Sequence, residues 1–137
     1  GFATVEFLAS AFVDLDYHAL EDPGMLDVSA FQEASLARIG MPKEIVMRHA
    51  SPHFLHVFTG DSYSAGYYSY MWSEVLDADG FEAFKEKKDA FDPATAKRLH
   101  DYVYSAGGTR DFAEAYRLFR GRDPSIEPLL EGRGLAA

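Results

Sequence analysis

The feature that most constrains this chain is its punctuation. Helical periodicity recurs along it and is cut at intervals by Pro and Gly: at Asp22-Pro23-Gly24, at Gly40 with Pro42, at Ser51-Pro52, Asp92-Pro93, Gly107-Gly108 and Asp123-Pro124. Proline at a first helical position and glycine just past a last one start and stop helices. No segment keeps the apolar–polar alternation of a strand. The expected fold class is therefore all-α, with about seven helices joined by loops of ordinary length. No repeat, low-complexity stretch or linker marks a domain boundary, so residues 1–137 are expected to form a single helical segment.

The first helix is expected over Thr4–Leu20, with Val5, Leu8, Phe12, Leu15 and Ala19 on its buried face. Glu6, Ser10, Asp14 and Tyr17 form a more polar stripe beside them. A second helix is expected over Asp27–Ile39, with Ser29 and Glu33 as its opening signal. A short element follows at Lys43–Arg48, and Ser51-Pro52 opens a turn or two through Phe58. Thr59-Gly60-Asp61-Ser62 reads as a loop. Then come Tyr63–Asp77, Phe81–Ala90 beyond Asp79-Gly80, a helix opened by Asp92-Pro93, one capped by Asp111 and running to Phe119, and a short one to Leu130.

Composition narrows the function classes. The chain has no cysteine, which excludes disulfides, thiolate metal sites and a cysteine nucleophile. A net charge of −9 argues against a nucleic-acid partner, which calls for a basic face. No apolar run approaches the roughly 18 residues of a membrane span. The chain opens on Gly1-Phe2-Ala3-Thr4 with no initiator Met or targeting pattern, as a piece of a longer, cytoplasmic protein would.

The densest chemistry lies between Tyr63 and Asp77. At about 100° per residue, one helix would carry Tyr63, Tyr67, Tyr70, Glu74 and Asp77 in a narrow arc. Ala65, Tyr68, Trp72 and Leu76 would lie opposite, suited to a core. Phenols stay neutral at pH 7 and can donate to a peptide backbone or to a developing oxyanion. Ordinary packing is the competing reading of such a stripe. Gly66 within the pattern costs about 1 kcal/mol against Ala and so marks a close approach.

Of five histidines, His49, His53 and His56 are spaced four and three apart. On one helix they could bind a metal, but Pro52 starts a new helix between them and no His-Glu-x-x-His occurs. His56, just before the loop, is the candidate for substrate contact, while His18 and His100 read as packed or surface residues. Lys85-Glu86-Lys87-Lys88 reads as a solvated helix end. Arg117, Arg120 and Arg122 could pair with acidic groups or hold a substrate carboxylate.

The run from Phe54 to Asp79, with its core Tyr67-Tyr68-Ser69-Tyr70-Met71-Trp72-Ser73-Glu74-Val75, resembles the C-terminal end of the thimet oligopeptidase, oligopeptidase A and peptidyl-dipeptidase family of zinc metallopeptidases. Thr4–Ala11 and Phe119–Ser125 share the likeness, which covers nearly the whole chain. It implies a mostly helical, two-lobed enzyme around a deep cleft, of which this chain forms one wall. It also implies zinc held by a His-Glu-x-x-His helix and a further Glu upstream of this segment, with no metal ligand in this chain. By the same resemblance Tyr70 is the catalytic group that hydrogen-bonds the tetrahedral oxyanion. His56, Gly60, Tyr63, Gly66 and Tyr67 belong to the loop and helix that contact the peptide. Asp61-Ser62 departs from a pattern that is often richer in glycine.

The expectation is thus a C-terminal fragment of an oligopeptide-hydrolysing zinc peptidase, inactive by itself. Its partners would be an oligopeptide substrate and the missing N-terminal part, with self-association through apolar surface that this part would cover. Two other readings stand beside it. One is a non-catalytic helical module that binds peptide through the tyrosine face. The other is a small metal protein built on His49, His53 and His56.

Overall fold

The computed structural model describes residues 1–136, and every regular element among them is helical. Seven α-helices follow in order: α1 (Phe2–His18), α2 (Val28–Arg38), α3 (Leu55–Phe58), α4 (Ser69–Lys85), α5 (Pro93–Leu99), α6 (Phe112–Arg120) and α7 (Glu127–Gly132). A 3-10 turn at Ser51–His53 precedes α3, and α5 continues into a π-helical turn at His100–Tyr104. The chain divides into two compact units, Gly1–Tyr70 and the part from Met71 onward.

Side-chain caps set the starts of α2, α5 and α6. Asp27, Asp92 and Asp111 each accept from the backbone N–H three residues ahead, on Ala30, Thr95 and Glu114. Each such cap is worth about 1 kcal/mol. Asp27 therefore opens α2, where Ser29 with Glu33 was the expected signal. Gly121 closes α6 in the left-handed conformation at φ 78°. Lys43–Arg48 forms no helix; it holds one turn, closed by the Ile45 N–H on the Pro42 carbonyl, because a stretch so short between two prolines cannot support a helical nucleus.

In the first unit, α1 packs on α2, and α2 on the 3-10 turn. Asp16 of α1 binds Ser35 and Arg38 of α2, and the Gln32 side-chain carbonyl accepts from both the backbone N–H and the hydroxyl of Ser51 at 2.8 Å. The core gathers Ala11, Val13, Met47, Phe54, Val57 and Tyr67, with Phe7, Tyr17 and Leu36 against it.

This core reverses the face expected for α1. Ala9, Ser10, Ala11, Val13 and Asp14 are buried, while Phe12 and Leu15 are 40% and 38% exposed. The helix is apolar nearly all round, so periodicity alone does not choose a face. A carboxylate with backbone donors waiting for it does, as described below.

In the second unit α5, the π turn and α6 pack together. Asp79-Gly80 does not interrupt α4, which runs through both to Lys85; of the expected Phe81–Ala90 helix, Phe81–Lys85 is the last part of α4 and residues 86–90 lie beyond its end in turns. Asp79 is fully buried and paired, so it is not free to act as a turn residue. The buried stripe of α4 is Val75, Asp79, Ala83 and Phe84, and Trp72, expected inside, is 53% exposed.

Candidate functional site

The site begins with Asp14, on the buried side of α1. Its side chain is wholly inaccessible. One carboxylate oxygen accepts from the backbone N–H of Ala65 at 3.0 Å, and the other from that of Tyr67 at 2.9 Å. His18, one turn along α1, sets its Nδ1 2.8 Å from the same carboxylate. Ala65 takes φ 54°, a left-handed backbone that L side chains seldom adopt.

The consequence is a correction to the tyrosine helix. Tyr63–Tyr68 is a chain of turns, and α4 starts only at Ser69. Gly66 N–H bonds the Tyr63 carbonyl, Ser69 N–H the Gly66 carbonyl, and Tyr70 N–H the Tyr67 carbonyl. Tyr63, Tyr67 and Tyr70 therefore do not share one helical face. They meet because the turn folds them around His56.

That imidazole lies on α3, at centroid distances of 4.9 Å from Tyr63, 5.5 Å from Tyr67 and 5.7 Å from Tyr70. The Tyr70 hydroxyl is 2.9 Å from His56 Nε2. With the ring proton on Nδ1, Nε2 accepts from the phenol. With it on Nε2, the phenol oxygen accepts and its own proton is free to point outward. Tyr63, Tyr70 and His56 are exposed. Tyr67 is the inner member, 8% exposed, stacked on Phe7 at 5.1 Å and edge-on to Phe54 at 5.0 Å. Burial pushes its phenol above the ordinary tyrosine range, against a pull downward from Arg48 and with a further rise from Tyr70. It stays neutral across the physiological range.

The two glycines differ. Gly60 has open space around it. A methyl on Gly66 would come 3.2 Å from the Tyr63 carbonyl oxygen, so the close approach marked by this glycine is that of its own turn.

The remaining candidates separate from this cluster. His49 stacks on Phe54 at 5.2 Å, His53 ends the 3-10 turn, and among the described residues no group of three or more His, Asp or Glu is arranged to hold a metal ion. His18 pairs with Asp14, and His100 with Asp101. Arg120 and Arg122 grip Asp79, and Arg117 pairs with Asp123 at 2.9 Å. The arginines thus bind the chain's own carboxylates.

Residues 1–135 match peptidase family M3. The chain belongs to this family. It is 35% identical to the dipeptidyl carboxypeptidase of Escherichia coli strain K12 across 98% of its own length and 20% of that protein. It is 35% identical to the probable cytosolic oligopeptidase A of Arabidopsis thaliana across its full length and 20% of the relative. With oligopeptidase A of Haemophilus influenzae the identity is 43%, over 62% of this chain and 12% of that one. The chain spans about a fifth of the length of the M3 relatives it matches most fully.

Asp14 is the residue that reading this M3 sequence misses. Its signal is a carboxylate set between Val13 and Leu15, one turn after Ser10, in a helix whose other carboxylates are Glu6 and Asp16. A carboxylate in such a setting is buried only when donors satisfy it. Its donors lie 51 and 53 residues away, beyond any local pattern.

Proposed function

We propose that this chain is the C-terminal part of a zinc-dependent M3 oligopeptidase, of oligopeptidase or peptidyl-dipeptidase type, in which it supplies substrate-binding and oxyanion-stabilising side chains. The observation that carries the reading is the exposed Tyr70 hydroxyl hydrogen-bonded to His56, with Tyr63 on the same imidazole and Tyr67 beneath. Support also comes from the names of the relatives, which are dipeptidyl carboxypeptidases and oligopeptidases.

In this reading Tyr70 donates to the oxygen that becomes negative when a peptide carbonyl turns tetrahedral. His56 with its proton on Nε2 donates to the phenol oxygen, which polarises the phenol O–H toward the substrate. Tyr63 and the Gly60 loop contact the peptide backbone, and Gly66 and Tyr67 hold the shape of the turn that presents Tyr70. Among the described residues no group of three or more His, Asp or Glu forms a set fit for zinc. The metal and its His-Glu-x-x-His helix belong to the upstream part of the longer protein, and the 137-residue chain alone is inactive. A cytoplasmic location goes with this reading; among the relatives' names, one is cytosolic and one organellar.

The test is Tyr70→Phe in the full-length enzyme. Turnover of an oligopeptide should fall by a factor of roughly 100 or more, with KM nearly unchanged and the folded structure intact. Normal turnover in that variant removes Tyr70 from the chemistry. A gene with no His-Glu-x-x-His upstream of this segment would remove the peptidase reading and favour a peptide-binding module.

A further inference from the structure

We infer that Asp14 is a positioning residue for the tyrosine cluster: from α1 it fixes the backbone of the Tyr63–Tyr68 turn and so sets where Tyr67 and Tyr70 stand against His56. Three observations carry this. The carboxylate is fully buried, yet it spends both oxygens on backbone N–H groups of one turn, at 3.0 and 2.9 Å. Those donors belong to Ala65 and Tyr67, on either side of Gly66, and an anion satisfied by two N–H groups is a strong organiser of a turn. Between them the chain must pass through the left-handed conformation of Ala65, which an alanine adopts only when its surroundings impose it.

The link to the site is short and covalent. Tyr67, held by its N–H, stacks on Phe7 and lies 5.4 Å from the Tyr70 ring, and its carbonyl accepts the N–H of Tyr70 at 3.4 Å. The turn then enters α4, whose first turn carries the Tyr70 hydroxyl to His56. Removing the carboxylate leaves the Ala65 N–H only its longer contact with His18 Nδ1 and the Tyr67 N–H without its acceptor, so the Ala65 backbone is released toward right-handed or extended angles. Tyr67 and Tyr70 then lose their register with the imidazole. His18 Nδ1 lies 2.8 Å from the same carboxylate and 3.3 Å from the Ala65 backbone nitrogen, as a second, longer partner of that N–H.

Asp14→Asn separates this from a merely structural role. An amide presents one acceptor where the site requires two, and its NH2 faces a backbone N–H. The partner variant is Asp14→Asn with Ala65→Gly, because glycine takes the left-handed angle without help. In the 137-residue chain, nuclear magnetic resonance reads the His56 ring and the Ala65 and Tyr67 amides. With Asp14→Asn the His56 ring signals should move to those of a free imidazole. The amides of Ala65 and Tyr67 should lose at least tenfold in hydrogen-exchange protection relative to those of α2. Adding Ala65→Gly should bring the His56 signals back.

A uniform loss of protection across the unit, with no return on adding Ala65→Gly, would make Asp14 an ordinary core residue and overturn the inference. If Asp14→Asn does not fold, the wild-type chain decides: Ala65 and Tyr67 amides exchanging as fast as that of Ser62 would overturn it equally. The kinetic arm rests on the peptidase reading. In the full-length enzyme Asp14→Asn should lower kcat at least tenfold with KM changed less than twofold, and Ala65→Gly should restore at least half of the loss. An enzyme inactive even as wild type would sink the peptidase reading and leave the resonance result standing.

Discussion

Asp79 is fully buried on α4, and three side chains of the same unit hold it. Arg120 reaches both of its oxygens, Arg122 donates at 2.6 Å, and the Tyr116 hydroxyl donates at 2.6 Å. Burial works against ionisation here, but the hydrogen bonds from Arg120, Tyr116 and Arg122 outweigh it and hold the carboxyl below the usual carboxylate range. Burial and donation to Asp79 push the Tyr116 phenol well above its ordinary value. Breaking one partner of a buried pair costs about 3–5 kcal/mol, because the other charge is left uncompensated. Asp79→Asn should therefore lower stability by about 3 kcal/mol at pH 7, measured by urea unfolding. The sign of the pH effect follows from the lowered value. Folded Asp79 binds its proton less readily than an unfolded Asp, whose pKa is about 3.9, so its contribution is complete above that range and fades as pH falls through the folded value. The gap between wild type and Asp79→Asn should close in acid. A gap that persists undiminished at pH 2 would show that the carboxylate's charge is not the source. Sequence reading leaves Arg120 and Arg122 open between substrate and structure, since their partner lies more than 40 residues away; only the fold shows which carboxylate they meet.

At the scale of elements, two glycines placed inside helical patterns have opposite meanings. Gly80 lies within α4, where glycine costs about 1 kcal/mol against alanine. A methyl there would touch only the Phe119 ring, at an ordinary 3.6 Å. Gly80→Ala should therefore raise stability by about 0.5–1 kcal/mol, read as a higher Tm. Gly66 lies outside the helix, and its methyl would press on a backbone carbonyl that cannot swing away. Gly66→Ala should cost about 1 kcal/mol and disturb the Tyr70–His56 pair. If both substitutions stabilise, the Tyr63 carbonyl does not crowd the Gly66 position. Local signals were enough for the caps at Asp92 and Asp111 and for the helix after each, because a cap acts over three residues. They were not enough for the start of α4. Tyr63–Tyr70 has helical spacing, but the bonds that keep its first half out of a helix come from Asp14.

For the molecule as a whole, the all-helical class is legible in the Pro and Gly punctuation and the family in the Phe54–Asp79 run, and the tyrosine cluster survives even though its helix is shorter than periodicity implies. What periodicity could not supply is which apolar residues are left outside. Phe91 is 88% exposed, Phe112 75% and Trp72 53%. In the second unit Trp72, Leu76, Phe112, Ala113, Tyr116 and Pro124, with Asp123 as the one carboxylate among them, line an open groove of about 510 Å³. Apolar surface of this kind marks an interaction site or an association liability. Against it stands a net charge of −9, which makes copies of the chain repel one another at low salt. At 0.15 M salt the Debye length is about 8 Å, and this repulsion is largely screened. The 137-residue chain should then form dimers or larger species in a concentration-dependent way, and more so as salt is raised. Sedimentation over a hundredfold range of concentration is the measurement, with Trp72→Glu and Phe112→Glu as the paired variants. Both should shift the association to higher concentration, since each replaces a large ring of the groove with a second carboxylate beside Asp123. A strictly monomeric profile at high concentration and high salt would mean that the exposed rings are tolerated singly and the groove has no affinity for its own kind.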